Sequence, residues 1–287
     1  MPVIAYATSL ALKDLTRDDQ TTVEPLRERG VEVRPAVWND HDVDWAAFDA
    51  VIIRSPWDYH RHGEEFLEWL TTLDRVGVPV HNPTDVLRWN LDKRYLRWVE
   101  ERGGSVVPTE WVEQGATVNV AEVLERRGWK NAVLKPTISA GASDTWVTSL
   151  ARAEDDAAKI APILKRCGLM IQPYLAEIAT EGELSMLFYG GKYSHAVRKR
   201  PALGDFRVQT DYGGTVEPAN PGPAVLSEAQ RIVELRGEQL LYARVDGVVV
   251  GEEFQLMELE LLEPQLFFPY HPHAAARWAE AVVAVLR

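Results

Sequence analysis

Between Tyr242 and Pro264 the chain reads YARVDGVVVGEEFQLMELELLEP, a segment that places carboxylates where a strand built only for stability would carry valine. Two runs rich in Val, Leu, Phe and Tyr flank Gly251-Glu252-Glu253, a short glycine-containing break of the length that joins antiparallel strands. With those three residues as the loop, Val250 faces Phe254, Asp246 faces Glu258 and Arg244 faces Glu260. Side chains alternate along a strand, so all four charged groups share one face. Directly opposed residues lie about 4.5 to 5.5 Å apart, and like charges placed so destabilise a sheet. Arg244 supplies one positive charge against three negative ones, which leaves the patch anionic. One reading is the solvated outer face of an edge hairpin. The other starts from Leu256, Met257, Leu259, Leu261 and Leu262, which occupy both faces and mark the strand as buried. Buried charges are paired or metal-bound, and hard oxygen donors on a rigid support suit Mg²⁺, which also binds substrate phosphates.

The rest of the composition bounds what such a hairpin belongs to. A chain of 287 residues with 46% hydrophobic content forms two or three globular lobes with real cores. Its net charge of -12 argues against a nucleic-acid or anionic-membrane partner, since those contacts need basic surface. The single cysteine, Cys167, excludes an internal disulfide framework and reads as an ordinary thiol. The first residues lack the basic-then-apolar pattern of a signal peptide, and no apolar run approaches the roughly 18 residues of a membrane span. A cytoplasmic location is the expectation.

In chain order, Val3–Ala7, a helix over 21–29 ended by Gly30, and Val31–Val33 predict a βαβ opening. Ala50–Ile53 is the next strand, and Arg54, Trp57 and Asp58 lie in the polar and aromatic segment after it. In open α/β sheets ligands bind at such strand ends, so Arg54 and Asp58 are expected either to contact a small polar substrate or to form an ion pair that stabilises the loop. Helical spacing covers 63–75, and a strand at 78–80 closes the first lobe. A long helix is expected from Asn82-Pro83 to about Arg102, with Lys93 in its middle. Taken alone, that lysine reads as a solvated helix residue.

From Val106 strands become more frequent. The strand Ala132–Lys135 runs into Thr137–Thr145, a small, hydroxylated stretch containing Ser139 and Gly141. Such a loop can bring backbone N–H groups to a phosphate, or be an ordinary flexible hairpin tip. A helix at 153–166 and a strand at 169–171 lead into Gln172-Pro173-Tyr174-Leu175, where the proline marks a hinge. Strands 184–188 and 193–197 turn at Gly190-Gly191, and Arg198-Lys199-Arg200 is either an anion site or a solvated strand end. The segment through Pro218, Pro221 and Pro223 reads as irregular, and Ser227 as the cap of a helix reaching about Leu241. His271 and His273 read as cap or surface residues before a last helix at 274–286.

The order of these signals is more specific than any one of them. A lysine in a helix after a βαβ lobe, Lys135 before a small-residue loop, a hinge, the acidic pair Glu181 and Glu183, then Arg-x-Asp and Glu-x-Glu resemble the ATP-grasp ligases, and among them the glutathione synthetase type, from about Asn82 to Pro264. The resemblance implies an α/β fold, α+β in its C-terminal lobes, in which the ATP-grasp fold follows a βαβ lobe. It divides the chain into a substrate lobe with connecting helix (1–104), a central lid subdomain (105–171) and a C-terminal subdomain carrying the metal hairpin (172–287). It implies that Lys93 and Lys135 contact the phosphates of ATP, that the loop containing Ser139 and Gly141 closes over them, and that Gln172, Tyr174 and Leu175 hold adenine. Glu181 matches the acid that holds the ribose, Asp246, Glu258 and Glu260 the ligands of Mg²⁺ or Mn²⁺, and Arg244 the arginine that stabilises the reacting oxyanion. Lys199 and Arg207 match phosphate contacts. Glu260 stands where the family commonly has asparagine, which bears on how many ions are held.

The chemistry so implied is ATP-dependent activation of a small carboxylate as an acyl phosphate, followed by attack of an amine or similar nucleophile, with Arg54, Trp57, Asp58 and Glu263 at the substrate. Small-molecule carboxylate and amine substrates are the expected partners, and homodimerisation stays open. The motifs around Trp89-Asn90 and Ser139-Ala140-Gly141 also resemble those of D-cycloserine-forming cyclo-ligases, which makes an intramolecular ligation the alternative. A regulatory protein that keeps ATP without turnover is a third reading, and a structural metal domain a fourth, which leaves two lysines and a hinge unexplained.

Overall fold

The computed structural model describes residues 1–287. Apolar runs buried on both faces build a parallel sheet at the start of the chain. β1 (Val3–Thr8), α1 (Arg17–Glu28), β2 (Glu32–Val37), β3 (Ala50–Ser55), α2 (Gly63–Val76) and β4 (Val80–His81) give the strand order β2-β1-β3-β4. The Thr16 hydroxyl caps α1 by accepting from the Asp19 amide, and Gly77, at φ 77°, ends α2.

The helix expected from Asn82 to Arg102 is two helices, α3 (Thr84–Asn90) and α4 (Tyr95–Glu101). Lys93 lies in the break between them, not in mid-helix. The cause lies in bonds made out of the helix: the Lys93 amide donates to the distant Thr137 carbonyl at 2.8 Å, and the Asp92 carboxylate turns back to accept from the Arg94 amide at 2.9 Å.

β5 (Glu110–Val112), α5 (Val120–Arg127), β6 (Asn131–Pro136), β7 (Trp146–Ser149), α6 (Ala157–Arg166) and β8 (Leu169–Pro173) follow. They form an antiparallel sheet in the order β5-β8-β6-β7. Its core, including Val123, Leu124, Leu134, Ile160, Leu164 and Ile171, is drawn entirely from this part of the chain.

The third sheet, β11-β10-β9-β12-β13, is built from α7 (Glu177–Thr180), β9 (Glu183–Tyr189), β10 (Lys192–Arg200), β11 (Thr215–Ala219), α8 (Pro223–Glu234), β12 (Tyr242–Val250) and β13 (Glu253–Glu260), with α9 (Ala274–Val285) after it. The proline-rich segment is more regular than its composition suggests. Pro218 sits in β11, an edge strand, where a missing amide is tolerated. Pro223 is the first residue of α8, where no amide is needed. Gly222, not Ser227, precedes that helix, which ends at Glu234.

Both hairpins of this sheet carry a bulge. β12 and β13 turn through Gly251-Glu252, one residue fewer than the expected loop, because Val250 pairs with Glu253. An extra residue at Met257 then restores the count, so Asp246 still faces Glu258 and Arg244 faces Glu260. A matching shift at Ser194 puts Lys199 opposite Glu183.

The lobes share material across the expected boundaries. Ser105 and Val107 bond the backbone of Leu256, so the segment expected to open the central unit pairs with β13. One core joins Ile4, Tyr6, Leu26 and Ile52 of the first lobe to Leu187, Tyr242, Phe268 and Trp278, and the Trp278 indole donates to the Tyr6 hydroxyl at 2.7 Å.

The bulge leaves no room for a side chain at Gly247. A Cβ there would lie 2.4 Å from the Gln255 carbonyl oxygen and 2.4 Å from Cζ of Phe254. Gly247→Ala is therefore expected to cost about 1–3 kcal/mol, the range of core overpacking, and thermal unfolding should show it as a Tm several degrees below that of the parent. An unchanged Tm would mean that the two strands pair without the bulge.

Candidate active site

On one face of the third sheet, neighbouring strands bring charges together. Asp246 of β12 is 2% exposed. Its carboxylate accepts from Arg244 Nε at 3.0 Å and Nη2 at 2.9 Å, from Lys199 Nζ at 3.2 Å and from Ser185 Oγ at 2.6 Å. Lys199 also pairs with Glu183 at 2.5 Å. Arg244 reaches across to Glu260 Oε1 and donates through Nη1 to the Gln265 carbonyl at 3.1 Å. Glu258 completes the set through Oε1, which lies 3.3 Å from Lys135 Nζ and 4.0 Å from Lys93 Nζ. The cluster thus interleaves Lys93, Lys135, Lys199 and Arg244 with Glu183, Asp246, Glu258 and Glu260. No three acidic, His or Cys side chains converge on one point.

This interleaving controls the protonation of each acid. Burial works against the charged form of Asp246, but Arg244 and Lys199 hold its pKa at about 2. Glu258 is half-buried, which also works against its charge, and Lys93 and Lys135 draw it below the usual range. Glu260 goes the other way: burial pushes it up to about 8, Arg244 offsets only part of this, and Asp246, Glu258 and Glu263 repel it. The guanidinium of Arg244 is buried too, yet Asp246 and Glu260 keep it charged.

The two upstream lysines arrive from different bodies. Lys135 is the penultimate residue of β6 and Lys93 stands in the break before α4. Lys93 also holds the root of the loop after β6: its Nζ donates to the Ser139 carbonyl at 2.8 Å, and Thr137 Oγ1 donates to Asp92 at 3.3 Å. Gly141, at φ 59°, turns this loop, and Ala142 and Asp144 share its left-handed conformation at φ 57° and 51°. Ile138 and Ala140 pack against the first-lobe core, which sets the loop over the cluster.

Other expected residues lie apart from this cluster. Arg54 is 1% exposed, pairs with Asp19 at 2.7 Å and donates to the Pro264 carbonyl. Its ion pair, made with Asp19 and not with Asp58, is a core contact inside the first lobe, and its bond to Pro264 reaches the C-terminal part of the chain. Asp58 accepts from the Trp38 indole at 2.8 Å, and the Trp57 indole donates to the Glu263 carbonyl at 3.1 Å. Burial raises the Glu263 carboxyl, against a hydrogen bond from Tyr59 and the charges of Lys93 and Arg244. Gln172 is buried in β8 and bonds Thr109 at 2.9 Å. The Tyr174 amide donates to Asn131 at 3.0 Å, and Leu175 is half-buried after it. Glu181 is exposed and its carbonyl accepts from Arg198. Arg207 pairs with Asp205 at 2.8 Å and lies over the Tyr212 ring. Arg198 and Arg200 alternate away from Lys199 toward Glu181 and Glu217, so the three cations do not form one patch.

Sequence reasoning gave no site role to Glu183, Ser185 or Tyr59. Both residues of the Glu181/Glu183 pair are visible in the sequence. Counting back from the turn at Gly190-Gly191 puts Lys199 opposite Gly182, and the bulge at Ser194 carries it to Glu183.

Comparison with known proteins accords with this geometry. Residues 4–82 match the family model of the N-terminal domain of D-cycloserine synthetase DcsG. The cycloserine biosynthesis protein DcsG of Streptomyces lavendulae is 29% identical, with all of both chains covered. A crystal structure of D-cycloserine synthetase DcsG superposes with a TM-score of 0.89 at 28% identity, over 99% of this chain and 100% of that one. D-alanine–D-alanine ligase from Bacillus anthracis shares the fold, with a TM-score of 0.68 at 14% identity over 100% of this chain and 97% of that one. No helix is long and apolar enough to cross a membrane. The chain has the fold of the ATP-grasp ligases and is similar along its whole length to a D-cycloserine synthetase.

Proposed function

We propose that the cluster on the third sheet takes ATP and Mg²⁺ and activates a small carboxylate as an acyl phosphate, and that the nucleophile attacking it belongs to the same molecule. The balance of the cluster supports the first part. Four cations face four carboxylates, and each of Glu258 and Glu260 is engaged through a single oxygen, Oε1. The donors are all carboxylate oxygens, which fits Mg²⁺. Lys93, Lys135 and Lys199 can turn from carboxylates to phosphate oxygens as the metal takes the carboxylates they leave, so the exchange strands no buried charge.

When bound, ATP supplies the phosphoryl group and the metal neutralises the charge of its phosphates. The chain's own side chains do the rest. Asp246, Glu258 and Glu260 would hold the metal. Lys93, Lys135, Lys199 and Arg207 would meet phosphate, with Ser139 and Gly141 in the loop above it. Gln172, Tyr174, Leu175 and Glu181 would hold adenosine. Arg244, fixed by Asp246, Glu260 and the Gln265 carbonyl, presents an oriented guanidinium to an oxyanion forming at the acyl carbon. The loop rooted on Lys93 keeps water from the acyl phosphate. Trp57, Asp58 and Glu263 remain the candidates nearest the substrate. Arg54 would act on it only through the shape of the lobe interface.

The observation that favours an intramolecular reaction is the full-length likeness to a D-cycloserine synthetase, at a TM-score of 0.89 against 0.68 for D-alanine–D-alanine ligase. ADP release across a panel of small amino acids, their O-substituted derivatives and dipeptides, with mass spectrometry of the products, tests it. Cyclisation yields a product lighter than the one substrate consumed. A product containing two substrates would replace the intramolecular reading with condensation.

Two substitutions test the roles. Arg244 is buried between two carboxylates, so its removal would expose unpaired charge and cost stability as well as rate. Arg244→Lys keeps the charge and loses the planar fork. It is expected to lower kcat by about 10²-fold, the scale of one lost preorganised donor, with the affinity for a non-hydrolysable ATP analogue nearly unchanged. Steady-state kinetics with calorimetric titration separates these effects, and a loss of binding at full kcat would make Arg244 a counter-ion only.

Lys135→Ala is expected to weaken binding of the same analogue by about tenfold or more, since a charge-assisted hydrogen bond contributes roughly 1.5–3 kcal/mol. Calorimetry that finds the parent affinity would remove Lys135 from the phosphate site.

A further inference from the structure

We propose that Asn90, assisted by Tyr95, is a positioning residue that sets where the Glu258 and Glu260 carboxylates stand, by acting as a stand-in strand on the outer edge of β13. The argument starts from the sheet. β13 is the last strand in its order, so its outward amides and carbonyls have no neighbouring strand, and edge groups need partners.

Protein groups meet these needs along its length. The Leu256 amide donates to the Ser105 carbonyl at 2.8 Å and its carbonyl accepts from Val107 at 3.0 Å. Beyond the bulge the partners become side chains. The Leu259 amide donates to the Tyr95 hydroxyl at 2.9 Å, and the Leu259 carbonyl accepts from Asn90 Nδ2 at 2.7 Å. The Leu261 amide donates to Asn90 Oδ1 at 2.8 Å. A carboxamide offers a donor and an acceptor side by side, as a peptide group of an adjoining strand does. Both faces of the Asn90 amide are used, and the residue is 8% exposed.

The three bonds fall on Leu259 and Leu261, the residues that alternate with Glu258 and Glu260. Strand parity turns the outer-edge grip into control of the opposite groups: with Leu259 and Leu261 pinned, the two glutamates face β12 and Asp246 in one register. This matters because the bulge at Met257 makes a one-residue slip a near alternative, and such a slip would turn Met257 and Leu259 into the site. Asn90 is the last residue of α3, immediately before the break that holds Lys93, so the same short stretch fixes both a carboxylate strand and a lysine that faces it.

The inference rests on the reading above in one respect, that Glu258 and Glu260 take the metal. Its test therefore uses direct Mn²⁺ binding, followed by electron paramagnetic resonance in the presence of a non-hydrolysable ATP analogue, and needs no substrate. Asn90→Leu, close in volume and unable to hydrogen-bond, is expected to weaken Mn²⁺ binding by about tenfold, the lower end of what groups that orient metal ligands contribute. Tyr95→Phe removes a single hydroxyl and is expected to weaken it by about threefold, as one hydrogen bond would. Tyr6→Phe is the control for plain destabilisation. The Tyr6 hydroxyl ties Thr22 and the Trp278 indole together in the first-lobe core and makes no bond to β13, so this variant should lose Tm while keeping Mn²⁺ affinity within about twofold of the parent.

Parent affinity in Asn90→Leu, or an equal loss in the Tyr6 control, overturns the positioning role. Should Asn90→Leu fail to fold, Tyr95→Phe carries the test, and parent affinity there overturns it as well. A parent protein that takes up no Mn²⁺ overturns the ligand assignment itself and this inference with it. Normal uptake by the parent and both edge variants alike overturns the inference only.

Discussion

A buried carboxylate at Asp246 is the constraint around which the third sheet is arranged. Isolated at 2% exposure it would be too costly to keep ionised. Charge and hydrogen bonds from three adjacent strands keep it so: Ser185 from β9, Lys199 from β10 and Arg244 from its own β12. Each of these carries a further obligation, Lys199 to Glu183 and Arg244 to Glu260. The result is a lattice of alternating charge in which moving one group disturbs the next. Such a lattice is stable when closed and also ready to reorganise around an incoming pair of opposite charges, since every partner it breaks can be replaced in kind.

How far this was legible in the sequence depended on local geometry more than on residue type. The face shared by Arg244, Asp246, Glu258 and Glu260 was correctly derived, but through two departures that cancel. The turn is one residue shorter than expected and the strand one residue longer at Met257. The neighbouring hairpin had no such cancellation. There the turn at Gly190-Gly191 was plain, while the shift at Ser194 hid the Lys199–Glu183 pair. A bulge has no firm sequence signature, because the unpaired residue can be almost any type; Gly247, paired with Leu256 beside the extra Met257, is the trace it leaves.

The same limit explains the other differences. Apolar spacing ran unbroken from Val86 to Val99 and predicted one helix, whereas the break at Lys93 is made by partners 44 to 46 residues away, Thr137 and Ser139. Composition predicted disorder of pattern around Pro218 and Pro223, and both prolines proved to occupy places where an absent amide does no harm. Arg54 stood at a strand end where ligands gather, and burial with Asp19 and the Pro264 carbonyl instead made it a structural tie. Element types were readable; what the elements lean on was not.

The route of the last helix has a consequence for how the protein is made. One face of the first sheet, with Ile4, Tyr6 and Ile52, is covered by Leu266, Phe268, Trp278 and Val282. The Asp18 carboxylate accepts from the amides of Leu266, Phe267 and Phe268. The beginning of the chain is thus closed by its end. On the ribosome, this first lobe waits with an apolar face uncovered until the segment from Leu266 to Val282 has emerged, while the middle section, whose core is its own, can fold ahead of it. Synthesis order and folding order run opposite ways here, and the interval between them is when the chain most needs protection from its neighbours.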